Sequence, residues 1–161
     1  MTVDACAQAG RDPDEVRLVA VSKRIDQARV AAAVAAGQLD LGENRLADAL
    51  ARQDAFAAAP ALADAGVRWH FVGHLQRNKA GRAAGRFHLI HGVHSAELAT
   101  RLERKAAALD VVQPILLQVN VTAEPQKDGL AVDDLPAALD AVAACDRLDL
   151  RGLMCMTRLG D

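Results

Sequence analysis

Six short apolar segments alternate with alanine-rich helical segments along this chain, and that alternation constrains the fold more than any other feature. The predicted strands are 16–22, 39–42, 68–73, 89–93, 114–121 and 150–156. Helices are predicted between them at 27–36, 45–59, 78–85, 95–109 and 133–145, with Asp26, Asn44 and Ser95 as N-cap residues. Strict alternation with short loops predicts a parallel sheet covered by helices, an α/β fold.

Two α/β architectures compete, the doubly wound sheet and the (β/α)8 TIM barrel. The first strand–helix turn, VSKRID, lacks the glycine fingerprint of a dinucleotide-binding sheet. Polar residues instead follow many strands, among them Lys23, Asn44, His74, Asn120 and Thr157. That distribution favours a barrel, whose site is built from its strand–helix loops. Only about six of eight strands are present, so we expect a single, incomplete barrel domain over residues 1–161.

Composition excludes several classes of function. The chain has a net charge of −2, one Trp, three Phe and no Tyr, which disfavours nucleic acid binding. Its apolar runs are shorter than the roughly 20 residues of a membrane span, and its N-terminus lacks the basic region of a signal peptide. Three cysteines have neither disulfide nor zinc spacing. We therefore expect a cytoplasmic protein with no membrane partner.

The five histidines all fall between positions 70 and 94, which raises the question of a metal site. Strand alternation predicts that His91 faces away from His88 and His94. His70 and His74 are assigned to a strand and a loop, and no Asp, Glu or Cys joins the histidines at ligand spacing. We predict no metal site.

Lys23 is the first candidate for chemistry, because it directly follows the apolar run LVAVS. An apolar floor beneath it would desolvate the amine, lower its pKa and leave part of it neutral, as attack on an aldehyde requires. The alternative is an ordinary solvated lysine at a strand end.

Five motifs occur in one order along the chain: AVSK at 20–23, GEN at 42–44, WHFVGHLQRNK at 69–79, VNVTAEPQKDG at 119–129 and GLMCM at 152–156. Together they resemble the YggS/PROSC family of pyridoxal phosphate homeostasis proteins. The resemblance runs from about residue 14 to the end of the chain. It implies the fold of the alanine racemase N-terminal barrel.

The same resemblance implies a set of cofactor-binding residues. Lys23 would hold pyridoxal 5′-phosphate (PLP) as an internal aldimine, Asn44 would lie beside the cofactor ring and Met154 would pack near it. Without the family, Asn44 is interpreted as a helix N-cap and Met154 as ordinary core. The histidine at 74 is expected to line the mouth of the cofactor site.

Two basic features remain open. The segment Gln76–Lys79, with Arg82 and Arg86, either attracts an anion or is a solvated helix face. Lys127 lies in the loop after the fifth strand, which the resemblance places near the barrel mouth. We expect Asp128 to form an ion pair with it.

Family members continue with two further strands, which carry loops that grip the phosphate and an Arg facing the pyridine nitrogen. This chain stops at Arg158–Asp161, in the loop after the sixth predicted strand. We therefore expect weakened PLP retention and two open sheet edges, with a monomer as the state of full-length relatives.

The resemblance favours a non-catalytic PLP-binding protein that serves cofactor homeostasis and supplies apo PLP-dependent enzymes. Racemases built on this barrel need a tyrosine from an additional domain, and this chain has no Tyr. An Arg at the pyridine nitrogen also weakens the ring as an electron sink. Two alternatives stay open. One is a Schiff-base enzyme, either an amino-acid racemase or a class I aldolase with Glu43 as the nearby acid. The other is a truncated fragment that binds nothing.

Overall fold

The computed structural model describes residues 2–124 and 126–156, which form one six-stranded parallel sheet. The strands are β1 (Ala20–Val21), β2 (Asp40–Glu43), β3 (Arg68–Phe71), β4 (Leu89–Val93), β5 (Gln113–Gln118) and β6 (Leu148–Met154). Their order in the sheet is their order in the sequence. In a doubly wound sheet the order in which strands are added reverses at a switch point, whereas in a (β/α) barrel each strand is added beside the one before it. The fold class predicted from sequence is confirmed.

In the described part of the chain, seven α-helices connect or precede these strands. They are α1 (Thr2–Gln8), α2 (Gln27–Ala35), α3 (Leu46–Ala57), α4 (Pro60–Ala63), α5 (Ala80–Ala83), α6 (Ala96–Ala108) and α7 (Leu135–Ala143). Two predicted N-caps are confirmed: Asp26 Oδ1 accepts a hydrogen bond from the Arg29 amide at 2.9 Å, and Ser95 Oγ accepts one from the Leu98 amide at 3.2 Å. Among the described residues, no helix has the length and apolarity needed to span a membrane.

The helices pack on one face of the sheet. Strand register places Leu41 beside Trp69, and Phe71 beside Ile90, on this face, where they meet apolar side chains from α2, α3, α5, α6 and α7. Burial of these side chains is the main stabilising term for the fold. The opposite face, which we call the inner face, carries Val21, Gly42 and His70. In a closed barrel this face lines the interior.

Among the described strands, β4 matches its predicted bounds and the other five differ from theirs, and β1 and β6 show features that the sequence did not indicate. Strand β1 pairs with β2 only at two residues, because the Gln38 side chain donates to the Leu18 carbonyl at 3.0 Å and replaces backbone pairing there. In β6 the register shifts, so that Leu150 is opposite Ile115 but Gly152 is opposite Leu116. The shift turns Gly152 and Met154 onto the inner face, whereas Leu153 pairs with Leu117 on the helix side; β-bulges re-aim side chains in this way.

The N-cap predicted at Asn44 is wrong. The cap residue of α3 is Arg45, which makes no side-chain capping bond. The loop predicted at Arg158–Asp161, and Thr157 before it, lie outside the described residues.

Candidate functional site

Lys23 and Asn44 meet at the carboxyl ends of adjacent strands. Lys23 follows β1, Asn44 follows β2, and both line one cavity of about 180 Å³ with Arg24, Arg45 and Asp48. Parallel strands bring their carboxyl ends to the same edge, which is where (β/α) barrels build their sites. The structure therefore brings together two of the three residues that the family resemblance assigned to a cofactor.

The Lys23 side chain is exposed, so the prediction of a desolvated amine is wrong. The apolar floor expected beneath it is itself open, since Val21 at the end of β1 is 45% exposed. Among the described residues, Lys23 forms no ion pair. Its amine is accessible to a solute entering the cavity.

A buried polar network holds the turn that carries Lys23. Ser22 Oγ donates to Glu43 Oε1 at 2.6 Å, and Glu43, only 1% exposed, forms an ion pair with Arg52 at 2.9 Å. Arg52 also donates to the Ile25 carbonyl at 2.9 Å. The network thus contacts the residues immediately before and after the turn. Within the turn, Arg24 has a φ of 61°, which a non-glycine residue keeps only when its surroundings hold it.

Sequence reasoning missed this network. The sequence indicates Glu43 only as an acid near Lys23, whereas in the structure its carboxylate is engaged by Ser22 and Arg52. A charged residue ending a buried strand was the one available signal, because a buried carboxylate needs a partner. Arg52, on α3, carried no signal of its own.

Two glycines let the loops after β2 and β3 and the strand β4 pack backbone to backbone. A Cβ at Gly73 would overlap the carbonyl oxygen of Asn44, and one at Gly92 would lie 2.8 Å from the carbonyl oxygen of Gly73. Any side chain at Gly73 would displace Asn44 from the cavity wall. The position of Asn44 therefore depends on a glycine in the loop after β3.

His74 lies at the same edge, as expected. It lines a cavity of about 350 Å³ that Asn44 also lines. Its Nδ1 is 2.9 Å from Asp128 Oδ2, and its ring stacks on His94 with centroids 4.6 Å apart. The contact between His74 and Asp128 connects the loop after β3 to the loop after β5.

The ion pair expected between Lys127 and Asp128 is wrong. Lys127 Nζ lies 2.8 Å from Glu124 Oε1, while Asp128 reaches His74. The loop returns to the sheet through a hydrogen bond from the Leu130 amide to the Gln118 carbonyl at 2.8 Å. That return places Asp128 against its histidine partner.

Met154 is not among the described walls of the cavity that holds Lys23 and Asn44. It is half-buried in β6 and shares a register position, and hence the inner face, with Gln118. The shift in β6 is what turns it there, since simple alternation from Leu150 would place it toward the helices. β1 and β6 form the two edges of the described sheet.

A second polar network lies at the amino ends of β2 and β3, away from Lys23. Asp40, 5% exposed, binds the Arg68 guanidinium through both carboxylate oxygens and accepts from His70 Nε2 at 2.9 Å. His70 Nδ1 in turn lies 2.9 Å from His91 Nε2. The Arg68 hydrogen bonds hold the pKa of Asp40 well below its usual range. Burial lowers the pKa of His70. Burial is also the main reason why the pKa of His91 is lowered to about 4, and the neighbouring His70 lowers it further.

The prediction that strand alternation makes His91 face away from His88 is wrong. His70 contacts both His88 and His91, with ring centroids 5.4 and 5.2 Å apart. His88 precedes the first residue of β4, so alternation does not govern its side chain. Asp40 and Asp128 also join the histidines, which spacing had not indicated. Within residues 2–124 and 126–156, no group of three or more His, Cys, Asp or Glu is arranged to hold a metal ion.

Comparison with known proteins gives consistent results. Residues 5–161 match the family model described as alanine racemase, N-terminal domain. The pyridoxal phosphate homeostasis protein of Pseudomonas aeruginosa is 44% identical over 152 residues, which cover 94% of this chain and 63% of that protein. The protein of the same name from Deinococcus radiodurans is 39% identical over 160 residues, covering 98% of this chain and 71% of that one.

A solved structure agrees with these relatives. PipY of Synechococcus elongatus, with PLP bound, is 36% identical, superposes with a TM-score of 0.81, and is matched over 99% of this chain and 71% of PipY. The present chain spans about 63% of the length of the Pseudomonas relative. The motifs, the consecutive parallel sheet and these matches agree on one assignment: the chain belongs to the pyridoxal phosphate homeostasis protein family, built on the alanine racemase N-terminal domain.

Proposed function

We propose that this chain binds PLP through Lys23 and holds it for supply to apo PLP-dependent enzymes, with no turnover of its own. The observation that carries the proposal is the accessible Lys23 amine at the end of β1, in one cavity with Asn44. The solved structure of PipY with PLP bound, from the same family, supports the choice of cofactor.

The residues around Lys23 fit the chemistry of PLP. The cofactor supplies an aldehyde that combines reversibly with a primary amine, next to a phosphate dianion. Lys23 offers the amine, and the guanidinium groups of Arg24 and Arg45 line the same cavity and complement the phosphate charge. The half-buried Asn44 offers an amide to the ring. Met154 takes an apolar packing role from the inner face.

The rest of the site keeps Lys23 in position. The Ser22–Glu43–Arg52 network holds the turn on both sides, so the amine is presented at a fixed strand end. Gly73 keeps Asn44 against the cavity. These contacts lower the entropic cost of ordering the site when the cofactor binds.

The acids and bases at hand support the proposed lack of turnover. Glu43 is buried in an ion pair, and Asp48 is the sole carboxylate among the described walls of the Lys23 cavity. The sequence has no Tyr to act as a second base. A racemase or a class I aldolase is the alternative. Turnover of amino acids or aldehydes that disappears in Lys23→Ala would favour it.

The cellular setting belongs to the same proposal. Cys6, Cys145 and Cys155 are all free thiols, which suits a reducing compartment such as the cytoplasm. Apo PLP-dependent enzymes would be found there as recipients.

The test is retention of the cofactor. Purified protein is mixed with PLP, desalted, and its absorbance recorded alongside Lys23→Ala and Lys79→Ala. We expect cofactor absorbance in the wild type and in Lys79→Ala, and its loss in Lys23→Ala. Equal retention in Lys23→Ala, or none in the wild type, would contradict the proposal.

A further inference from the structure

The loops after β1 to β4, together with α5 and α6, line one groove that starts at the carboxyl edge of the sheet and continues onto the helices. Four cavities of about 180, 350, 810 and 340 Å³ follow one another and share walls. Asn44 is common to the first two, His74 to the second and third, and Arg77 to the last two. We call this the basic groove. It begins at Lys23 and ends on α6.

The groove carries an excess of positive charge, although the chain as a whole has a slight excess of negative charge. Eight lysines and arginines line it, against two carboxylates, Asp48 and Glu97, while the whole chain has a net charge of −2. Only three of the eight belong to the Lys23 cavity. The far end has its own set: Arg77, Arg101, Arg104 and Lys105. A concave surface lined by one sign of charge focuses the electrostatic field and attracts the opposite sign.

The far end is preorganised. Glu97 bridges Arg77 and Arg101, with 3.1 Å between Glu97 Oε1 and Arg101 Nη2. The two guanidinium groups, Arg77 foremost, lower the pKa of Glu97. In the described part of the chain, Arg104 and Lys105 form no ion pair, so their charges are uncompensated.

We propose that the basic groove docks an acidic face of a partner protein, with Arg104 and Lys105 contacting it at the end remote from Lys23. The partner would be an apo-enzyme that accepts the cofactor, and this identity rests on the function proposed above. Because the groove starts at Lys23, a protein seated along it faces the amine. A single small anion at Lys23 would not reach the cations on α6, which lie three cavities away.

The walls of the groove disfavour two other occupants. The described residues of these walls include no Phe, Tyr or Trp, so they offer no platform on which nucleic acid bases stack. Their larger apolar side chains, Leu46 and Leu75, are buried and leave nothing to insert into a lipid surface. Acidic side chains of a folded partner match a groove of this length and charge.

The test uses a fluorescently labelled poly-glutamate peptide as the probe, followed by fluorescence anisotropy. The variant is Arg104→Glu with Lys105→Glu. The matched control, Arg11→Glu with Arg29→Glu, makes the same change in net charge at exposed residues outside the groove. We expect wild-type binding that weakens as salt rises, about a tenfold loss in the variant, and less than about a twofold change in the control.

Three results would overturn the proposal. They are no peptide binding by the wild type, an equal loss in variant and control, or equal or tighter binding of a single-stranded oligonucleotide or of phosphatidylserine vesicles. PLP retention is measured on every protein, and Arg104→Glu with Lys105→Glu is expected to retain PLP as the wild type does. Loss of peptide binding with PLP retained is therefore distinct from failure of the Lys23 site.

Discussion

Replacing Asp40 by Asn tests whether the network at the amino ends of β2 and β3 stabilises the fold. The carboxylate binds Arg68 through both oxygens and accepts a further hydrogen bond from His70. Asn keeps the shape of the side chain but removes its charge. Arg68 and His70 then lose an anionic acceptor in a buried setting.

The size of the effect follows from the burial of the two partners. Removing one member of a buried ion pair costs about 3–5 kcal/mol, because the other charge is left uncompensated. Asp40 is buried but the Arg68 side chain is 38% exposed, so water recovers part of that cost. We expect a loss of about 3 kcal/mol in the free energy of unfolding. For a chain of this length that lowers the melting temperature by about 6–12 °C.

The assay is thermal unfolding at pH 7 followed by circular dichroism, with Asp54→Asn as the control. Asp54 pairs with Arg86 at 2.8 Å but is 71% exposed, so its loss should cost less than about 1 kcal/mol. The folded-state pKa of Asp40 is depressed, so its contribution is complete at pH 7 and fades only below the ordinary aspartate pKa of about 3.8. A melting temperature for Asp40→Asn no lower than that of Asp54→Asn would refute the reasoning.

Three further predictions concern other parts of the molecule. The pKa of His91 is lowered to about 4, so the unfolded chain takes up a proton at this residue at a higher pH than the folded chain does. The free energy of unfolding should therefore fall by on the order of 3 kcal/mol as pH drops from about 6.5 to about 4. Denaturant unfolding of His91→Gln should show a weaker dependence of stability on pH, and identical dependences in variant and wild type would contradict this. Arg52→Ala should release the turn that carries Lys23 and reduce PLP retention several-fold. Arg82 does not contact this turn, so Arg82→Ala should leave PLP retention unchanged. Equal retention in the two variants would refute the positioning role of Arg52. Gly73→Ala should displace Asn44 and lower both the melting temperature and PLP retention, and a variant matching the wild type in both would show that the close approach is not required.

The sequence carried enough information for the topology because its signals were local. Alternating segments, the caps at Asp26 and Ser95, and the bounds of β4 are each decided by neighbouring residues, and all agree with the structure. Strand β1 is shorter than predicted because a side chain from the next segment, Gln38, takes its place in the ladder. The orientation of Met154 depends on a register shift between β5 and β6 that no local pattern encodes.

The candidate site was predictable in position but not in environment. Strand ends place Lys23 and Asn44 at one edge of a parallel sheet, which sequence alone indicates. The exposure of Lys23, the capture of Glu43 by Arg52 and the pairing of Asp128 with His74 are contacts between distant segments. Such contacts depend on packing that spacing along the chain does not report.

The most direct test of the central claim is to locate PLP on the chain. The protein is incubated with PLP, any linkage between PLP and a lysine is fixed by borohydride reduction, and the protein is digested. The masses of the resulting peptides are then measured by mass spectrometry. With four lysines in the sequence, each site is resolved separately. We predict the pyridoxyl phosphate mass on the peptide containing Lys23, at a molar ratio near one. Labelling spread evenly over Lys79, Lys105 and Lys127, or absent from Lys23, would contradict the account.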